Sequence, residues 1–147
     1  MNTAHRNLPS LVMICFTLAL AACGSAPSRE LPAQPVSLTN TYWQLASVKG
    51  TAMPASGTGN NPHLIFQDDG QVRGHTGCNV LKGVYGQNNG QVRFLTMGAT
   101  RMACSHAAAE AAFVAAMRDT RDLSIRGRQL FLQGPDGATL AVFEVLR

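Results

Sequence analysis

Charged residues are scarce in this 147-residue chain, where they make up 14% of the total, about half of their usual share. So low a charge content excludes a disordered, strongly solvated chain and a charge-rich coiled coil. The 12 Lys and Arg outnumber the 8 Asp and Glu, for a net charge of +4, but no three basic residues stand together. We therefore expect no nucleic-acid partner.

Common catalytic signatures are also missing. The chain has no G-x-S-x-G elbow, no H-E-x-x-H pair and no Gly-Lys-Thr/Ser phosphate-binding loop, which are the local patterns that serine hydrolases, zinc proteases and nucleotide hydrolases use. We expect a protein that is not an enzyme and that uses no cofactor.

No apolar run is long enough to cross a bilayer. The longest one, residues 11–22, comes shortly after His5 and Arg6, and as a helix it would reach roughly 18 Å against the ~30 Å of a hydrocarbon core. A short apolar run after a positive start is typical of a secretory signal. The sequence therefore predicts that residues 1–22 are an export signal.

The residues at the end of this run resemble a bacterial lipobox, because small side chains lead directly into Cys23, which is followed by Gly24. The resemblance implies a lipoprotein signal peptide over residues 1–22, cleavage before Cys23, and acyl chains on that cysteine. The residue after the cysteine is Gly24. An Asp at this position would favour retention at the inner membrane, so Gly24 favours export to the outer membrane. We expect a membrane partner through the Cys23 anchor, an outer-membrane location and a domain that faces the periplasm.

The next segment predicts a tether. Residues 23–37 contain the lipidated cysteine and then three Pro and three Ser with little to bury, so we expect a flexible linker. The folded domain is expected over residues 38–147.

Two cysteines remain for that domain. Cys15 leaves with the signal and Cys23 takes the lipid, so Cys78 and Cys104 are left in an oxidising compartment. We expect a disulfide between them; two buried thiols are the alternative.

The domain itself is predicted to be α+β. One Ala-rich helix is expected over residues 106–118, with Ser105 as its N-cap, and residues 50–62 are expected to form a loop. Hairpin turns are expected at Asp68–Gly70 and Gln87–Gly90. Alternating or apolar segments predict short strands at residues 42–48, 63–67, 71–75, 80–85, 91–95, 123–126, 129–133 and 139–146. The fold class is a mostly antiparallel, strongly curled sheet or partial barrel of seven or eight short strands, with the helix packed on it.

Two blocks of the domain resemble a known family. The first is G-H-T-G-C-N at residues 74–79 and the second is T-R-M-A-C at residues 100–104; in this order they resemble the META domain family of HslJ-like bacterial lipoproteins. The resemblance covers residues 38–147. It implies a small β-rich domain in the cell envelope that is associated with stress tolerance, with no established catalytic residues or ligand. The family-motif residues are Gly74, Gly77, Cys78, Asn79, Thr100, Met102 and Cys104.

The motif predicts a tight, disulfide-tied corner. Gly74 and Gly77 suit a positive φ or a close backbone approach, and Asn79 suits a turn held by its own side chain. An alternative is a zinc site, because His75-x-x-Cys78 and Cys104-x-His106 offer two nitrogens and two sulfurs.

These observations favour a non-catalytic envelope lipoprotein that supports envelope integrity or stress tolerance, with a protein or an envelope polymer as its partner. The competing hypothesis is a small periplasmic metal-binding factor or enzyme that uses the four residues His75, Cys78, Cys104 and His106.

Overall fold

The computed structural model of the chain describes residues 35–53, 60–88 and 91–145. In this part of the chain, nine strands and one helix follow one another. The strands are β1 (Trp43–Val48), β2 (Thr51–Ala52), β3 (His63–Phe66), β4 (Gln71–His75), β5 (Val80–Asn88), β6 (Gln91–Ala99), β7 (Asp122–Arg126), β8 (Gln129–Gln133) and β9 (Thr139–Val145), and the helix α1 (Ala107–Asp119) lies between β6 and β7.

All named strands pair antiparallel in one sheet. Its order is β6-β5-β4-β3-β1-β9-β8-β7, with β2 paired to β1. The strands at the two ends of this order, β6 and β7, come into contact with each other, so the sheet curls into a half-barrel. This confirms the predicted α+β class and the curled antiparallel sheet with one helix.

The core lies between the concave face of the sheet and the helix, which contacts β1, β6 and β9. The largest side chains with no exposed surface are Trp43, Phe66, Phe113 and Phe143. Burial alternates along β3 and β8, because successive side chains of a strand point to opposite faces. The indole Nε1 of Trp43 donates to the carbonyl oxygen of Leu38 at 2.9 Å, which gives this buried donor a partner.

The helix forms where the alanine-rich segment predicts it, one residue later at each end. Its buried positions are Phe113, Ala116 and Met117, which is the stripe expected from a helical period. The prediction that Ser105 caps the helix is wrong. His106 occupies the N-cap without a side-chain hydrogen bond to the helix, and Ser105 lies in the preceding turn with its hydroxyl against Nδ1 of His106.

Two strand predictions need correction. The segment 50–62, predicted as a loop, contains β2, because Lys49 and Gly50 both adopt a positive φ and turn the chain back along β1. Strands β5 and β6 are each longer than predicted. Residues 86–88 at the end of β5 pair with the start of β6, and residues 96–99 at the end of β6 pair with the start of β5, in spite of a low intrinsic strand preference. The predicted turn at Gln87–Gly90 falls partly outside the described residues, since positions 89 and 90 are not described.

The two ends of the domain lie next to each other. Trp43, the first residue of β1, pairs with Val145, the last residue of β9. Val36 and Leu38 are partly buried against the core, so packing begins slightly before the boundary expected at residue 38. None of the helices in the described residues is long and apolar enough to cross a membrane.

Candidate functional site

The two sequence blocks meet at one corner of the half-barrel. Residues 76–79 connect β4 to β5, and residues 100–106 connect β6 to the helix α1. The structure joins these connections by a disulfide between Cys78 and Cys104, whose Cα atoms are 6.0 Å apart. The expected bond is therefore present, and both cysteines are half-buried.

Two glycines shape the backbone of this corner. Gly77 has a φ of +98°, a conformation that side chains with a Cβ rarely adopt, and its N–H donates to Nδ1 of His75 at 3.0 Å. Gly74 is needed for space, because a Cβ at this position would collide with the carbonyl oxygen of His63 on the paired strand β3.

Two hydrogen bonds between Thr76 and Asn79 close the turn that leads into β5. The backbone N–H of Thr76 donates to the carbonyl oxygen of Asn79 at 2.8 Å. The N–H of Asn79 donates to the hydroxyl oxygen of Thr76, also at 2.8 Å. Both residues are buried, so these bonds provide partners for polar groups that water does not reach.

The side chain of Asn79 fastens the second block to the first. Its Oδ1 accepts hydrogen bonds from the Thr100 hydroxyl and from the backbone N–H of Met102, each at 2.8 Å. Asn79 therefore links the start of β5 to the chain that leaves β6. Thr100 acts through its side chain, whereas Met102 takes part through its backbone and leaves its own side chain largely exposed.

Glu110, on the first turn of α1, completes this network. Its Oε1 accepts hydrogen bonds from the Thr76 hydroxyl at 2.8 Å and from the Asn79 amide at 2.7 Å. Its Oε2 lies 3.4 Å from Sγ of Cys104, a disulfide sulfur with no proton to donate. The helix predicted over residues 106–118 includes Glu110, but the sequence analysis does not assign Glu110 to the site. The feature that could have indicated it is a single acidic residue near the start of an otherwise alanine-rich segment.

A cavity of about 280 Å³ opens beside the disulfide. Its wall combines apolar groups with the polar corner just described. The lining residues that bear on its chemistry are Met53, Pro62, Met102, the disulfide, His106 and Glu110.

The proposed zinc set is not brought together. The ligand atoms that lie within 4.8 Å of one another belong to Cys78, Cys104 and Glu110, so the two histidines of the hypothesis are not part of this cluster. The Nδ1 atoms of His75 and His106 contact Gly77 and Ser105 respectively. The sulfurs form a disulfide, whereas zinc binds thiolates, so the oxidised corner does not offer the ligand set of this alternative.

His75 belongs instead to a row of rings on the sheet surface. Its ring lies 6.3 Å from that of His63, nearly parallel to it, and the His63 ring stacks on Tyr42 at 4.3 Å. Partial burial lowers the pKa of His75 below its ordinary value, and repulsion from His63 lowers it further, while Glu110 opposes the shift. The hydrogen bond from the Gly77 N–H requires an unprotonated Nδ1, and a lowered pKa favours that form.

The fold and the corner define a small half-barrel domain with one helix and a disulfide-tied turn. The chain belongs to the META domain family, whose model matches residues 36–145. This confirms the resemblance seen in the two sequence blocks.

Solved structures share this fold. An NMR structure of a protein from Burkholderia xenovorans is 28% identical, with a TM-score of 0.58, and the match covers 83% of this chain and 98% of that one. A second NMR structure is 19% identical with a TM-score of 0.59, over 75% and 95% of the two chains. The crystal structure of a DUF4847 family protein from Bacteroides vulgatus is 12% identical with a TM-score of 0.54, over 73% and 93%. No curated protein matches the chain.

Proposed function

We propose that this chain is a non-catalytic, lipid-anchored protein of the bacterial cell envelope that supports envelope integrity or stress tolerance. In this proposal residues 1–22 are removed, Cys23 carries the lipid, and the META domain reaches the periplasm on the tether that precedes Val36. The domain acts by binding a protein or an envelope polymer.

The observation that carries this proposal is the order of segments along the chain. A short apolar run leads into a cysteine preceded by small residues, a Pro- and Ser-rich stretch follows, and a META domain occupies the rest. Acyl chains contribute about 0.8 kcal/mol of membrane affinity per buried methylene, so several chains on Cys23 would hold the domain at the membrane.

The chemistry of the corner supports a binding role over a catalytic one. The amide of Asn79 and the hydroxyl of Thr76 are both occupied by hydrogen bonds within the corner. A catalytic group needs a free atom within reach of a substrate, and these atoms instead hold the Glu110 carboxylate, the Thr100 hydroxyl and the Met102 backbone in place. The cavity beside them provides a surface for a ligand.

The lipid anchor is tested by expressing the full chain in a Gram-negative host and measuring the mass of the purified protein. We expect a chain that begins at Cys23 with the added mass of the acyl groups, and we expect it in outer-membrane fractions. The Cys23→Ser variant should lack the acyl mass and leave the membrane fraction, while Cys15→Ser, a control within the signal, should behave like the wild type. An unprocessed chain in the cytosol would refute the proposal.

The non-catalytic role is tested by complementation of a deletion strain under envelope stress. A variant with both His75→Ala and His106→Ala should restore growth as the wild type does, provided that its level in the membrane is equal. A complete loss of complementation at equal protein level would favour the competing enzyme or metal-binding factor.

A further inference from the structure

The cavity beside the disulfide is lined by one carboxylate, Glu110, for which the described residues provide no ion-pair partner. Among the described residues, the ion pair found is the one between Arg118 and Asp119, far along the helix from Glu110. Among the described residues that line the cavity, Glu110 is the one carboxylate, His106 is the other side chain that can titrate, and there is neither Lys nor Arg.

The two oxygens of Glu110 are used differently. Oε1 accepts two hydrogen bonds, from Thr76 and Asn79, and these fix the carboxylate in place. Oε2 faces the Cys104 sulfur at 3.4 Å and has no hydrogen-bond donor among the described residues. A half-buried carboxylate oxygen gains most from a charged donor, so Oε2 is prepared to accept one from a ligand.

Apart from Glu110, the described wall combines apolar groups with the polar side chains of Asn60, Thr76, Ser105 and His106. Met53, Pro62, Ala109 and the disulfide sulfurs line the cavity and offer dispersion contacts to an alkyl chain. The volume of about 280 Å³ lies just below the ~300–1,000 Å³ of ordinary small-molecule pockets. The site therefore fits a short chain better than a large ligand.

We propose that this cavity binds a primary alkylammonium group, with the ammonium on Glu110 Oε2 and its short carbon chain against the methionine, proline and disulfide wall. This is the chemistry of a lysine side chain displayed by a partner protein. The inference rests on the proposed function and specifies the kind of group by which the domain recognises its partner.

The test uses the mature chain, residues 23–147, in neutral detergent micelles, followed by ¹⁵N–¹H correlation spectra. The probe is n-butylammonium chloride, and n-butanol is the uncharged comparison. We expect saturable shifts of the backbone amides around Cys104 and Glu110 with n-butylammonium, with half-saturation on the order of 1–10 mM for so small a probe. n-Butanol should bind at least about tenfold more weakly, because it brings no charge to the carboxylate.

The variant Glu110→Gln keeps an oxygen for Thr76 and Asn79 and removes the charge, so we expect it to fold and to lose at least about tenfold in affinity. Glu144→Gln, an exposed carboxylate on β9, is the matched control and should bind like the wild type. If Glu110→Gln proves unfolded, the comparison of n-butylammonium with n-butanol on the wild type decides by itself.

Three results would overturn the inference: no saturable shift, equal binding of the two probes by the wild type, or a folded Glu110→Gln that retains full affinity.

A lysine amide with a free side-chain amine should bind, and the same compound acetylated on that amine should not. Binding of free diamines but not of the lysine amide would assign the site to small polyamines instead of a protein partner. Because none of these outcomes depends on the lipid anchor or on complementation, the measurements can fail while the proposed function stands.

Discussion

The side-chain nitrogen of Asn79 donates a hydrogen bond of 2.7 Å to Oε1 of Glu110, 31 residues further along the chain. This bond, together with those that Asn79 Oδ1 accepts from Thr100 and Met102, connects the β4–β5 turn both to the end of β6 and to the first turn of the helix. One buried amide thus determines how three segments meet beside the disulfide.

Replacement of Asn79 should therefore destabilise the domain. We expect Asn79→Ala to lower the free energy of unfolding by about 2–4 kcal/mol, since buried donors and acceptors on three segments lose their partner. Urea unfolding followed by tryptophan fluorescence of Trp43 measures this. Asn88→Ala, at an exposed position of β5, should change stability by less than about 0.5 kcal/mol. An equal effect of the two substitutions would contradict the role given to Asn79.

Reduction of the Cys78–Cys104 bond should also destabilise the fold. The bond closes a loop across a separation of 26 residues, for which the chain-entropy relation gives about 3.5 kcal/mol. We expect a dithiol to shift the urea midpoint of the wild type downward. The double variant Cys78→Ser with Cys104→Ser should unfold near the midpoint of the reduced wild type, and the reductant should not move it further. If an alkylating reagent modifies both cysteines in denatured protein that has not been reduced, the bond is absent.

Gly74 should be intolerant of any side chain. A Cβ here meets the His63 carbonyl, and the paired strands would have to separate, so we expect Gly74→Ala to cost about 1–3 kcal/mol. Gly98→Ala on β6 is the matched control, because its Cβ would find its nearest atom 3.9 Å away. Thermal unfolding of both variants measures the difference. A Gly74→Ala protein as stable as Gly98→Ala would contradict the close approach of β3 and β4.

Acid should weaken the domain through His75. Burial and the neighbouring His63 lower the pKa of His75 below its ordinary value of 6.5, so the unfolded chain takes up the proton more readily than the folded one. The stability contributed by neutral His75 is present above about pH 6.5 and is lost as the pH falls through the lowered pKa. Urea midpoints between about pH 8 and pH 5 should fall less in His75→Gln than in the wild type, and His106→Gln should retain the wild-type slope.

The helix–sheet contact should depend on Phe113. Its side chain is fully buried and packs on Phe143 with ring centroids 5.8 Å apart. We expect Phe113→Ala to cost about 3–5 kcal/mol, as large-to-small substitutions in cores do. Val114→Ala, one residue along on the exposed face of the helix, should cost less than about 1 kcal/mol. Helical circular dichroism against temperature reports both.

Much of the fold could be predicted because its signals are local. The alternating apolar pattern of β3 and β8 and the alanine-rich segment of α1 can be recognised in the sequence without knowing what they pack against. Gly70, in the turn predicted at Asp68–Gly70, has a positive φ. The extensions of β5 and β6 could not be predicted, since Gly86 and Gly98 have little strand preference. They become part of the strands through their pairing with Arg93 and Lys82 on the neighbouring strand.

The site was predicted in part. The two motif blocks contain the disulfide and Asn79, and the sequence alone indicated a corner. Glu110 was not assigned to the site because its role depends on a contact across 34 residues of chain, between its Oε1 and the Thr76 hydroxyl at 2.8 Å. A lone acid in an alanine-rich segment does not show what that acid will contact. The alternative zinc set of two histidines and two cysteines is not formed, because spacing near a cysteine does not determine which way a neighbouring ring turns.

The pairing of Trp43 with Val145 has a mechanical consequence. A protein tethered upstream of β1 and pulled at its C-terminus would have β1 and β9 separated one hydrogen bond at a time, because both points of attachment are at the same end of that ladder. Tension applied between the two ends of the domain should therefore open the β1–β9 ladder from that end first.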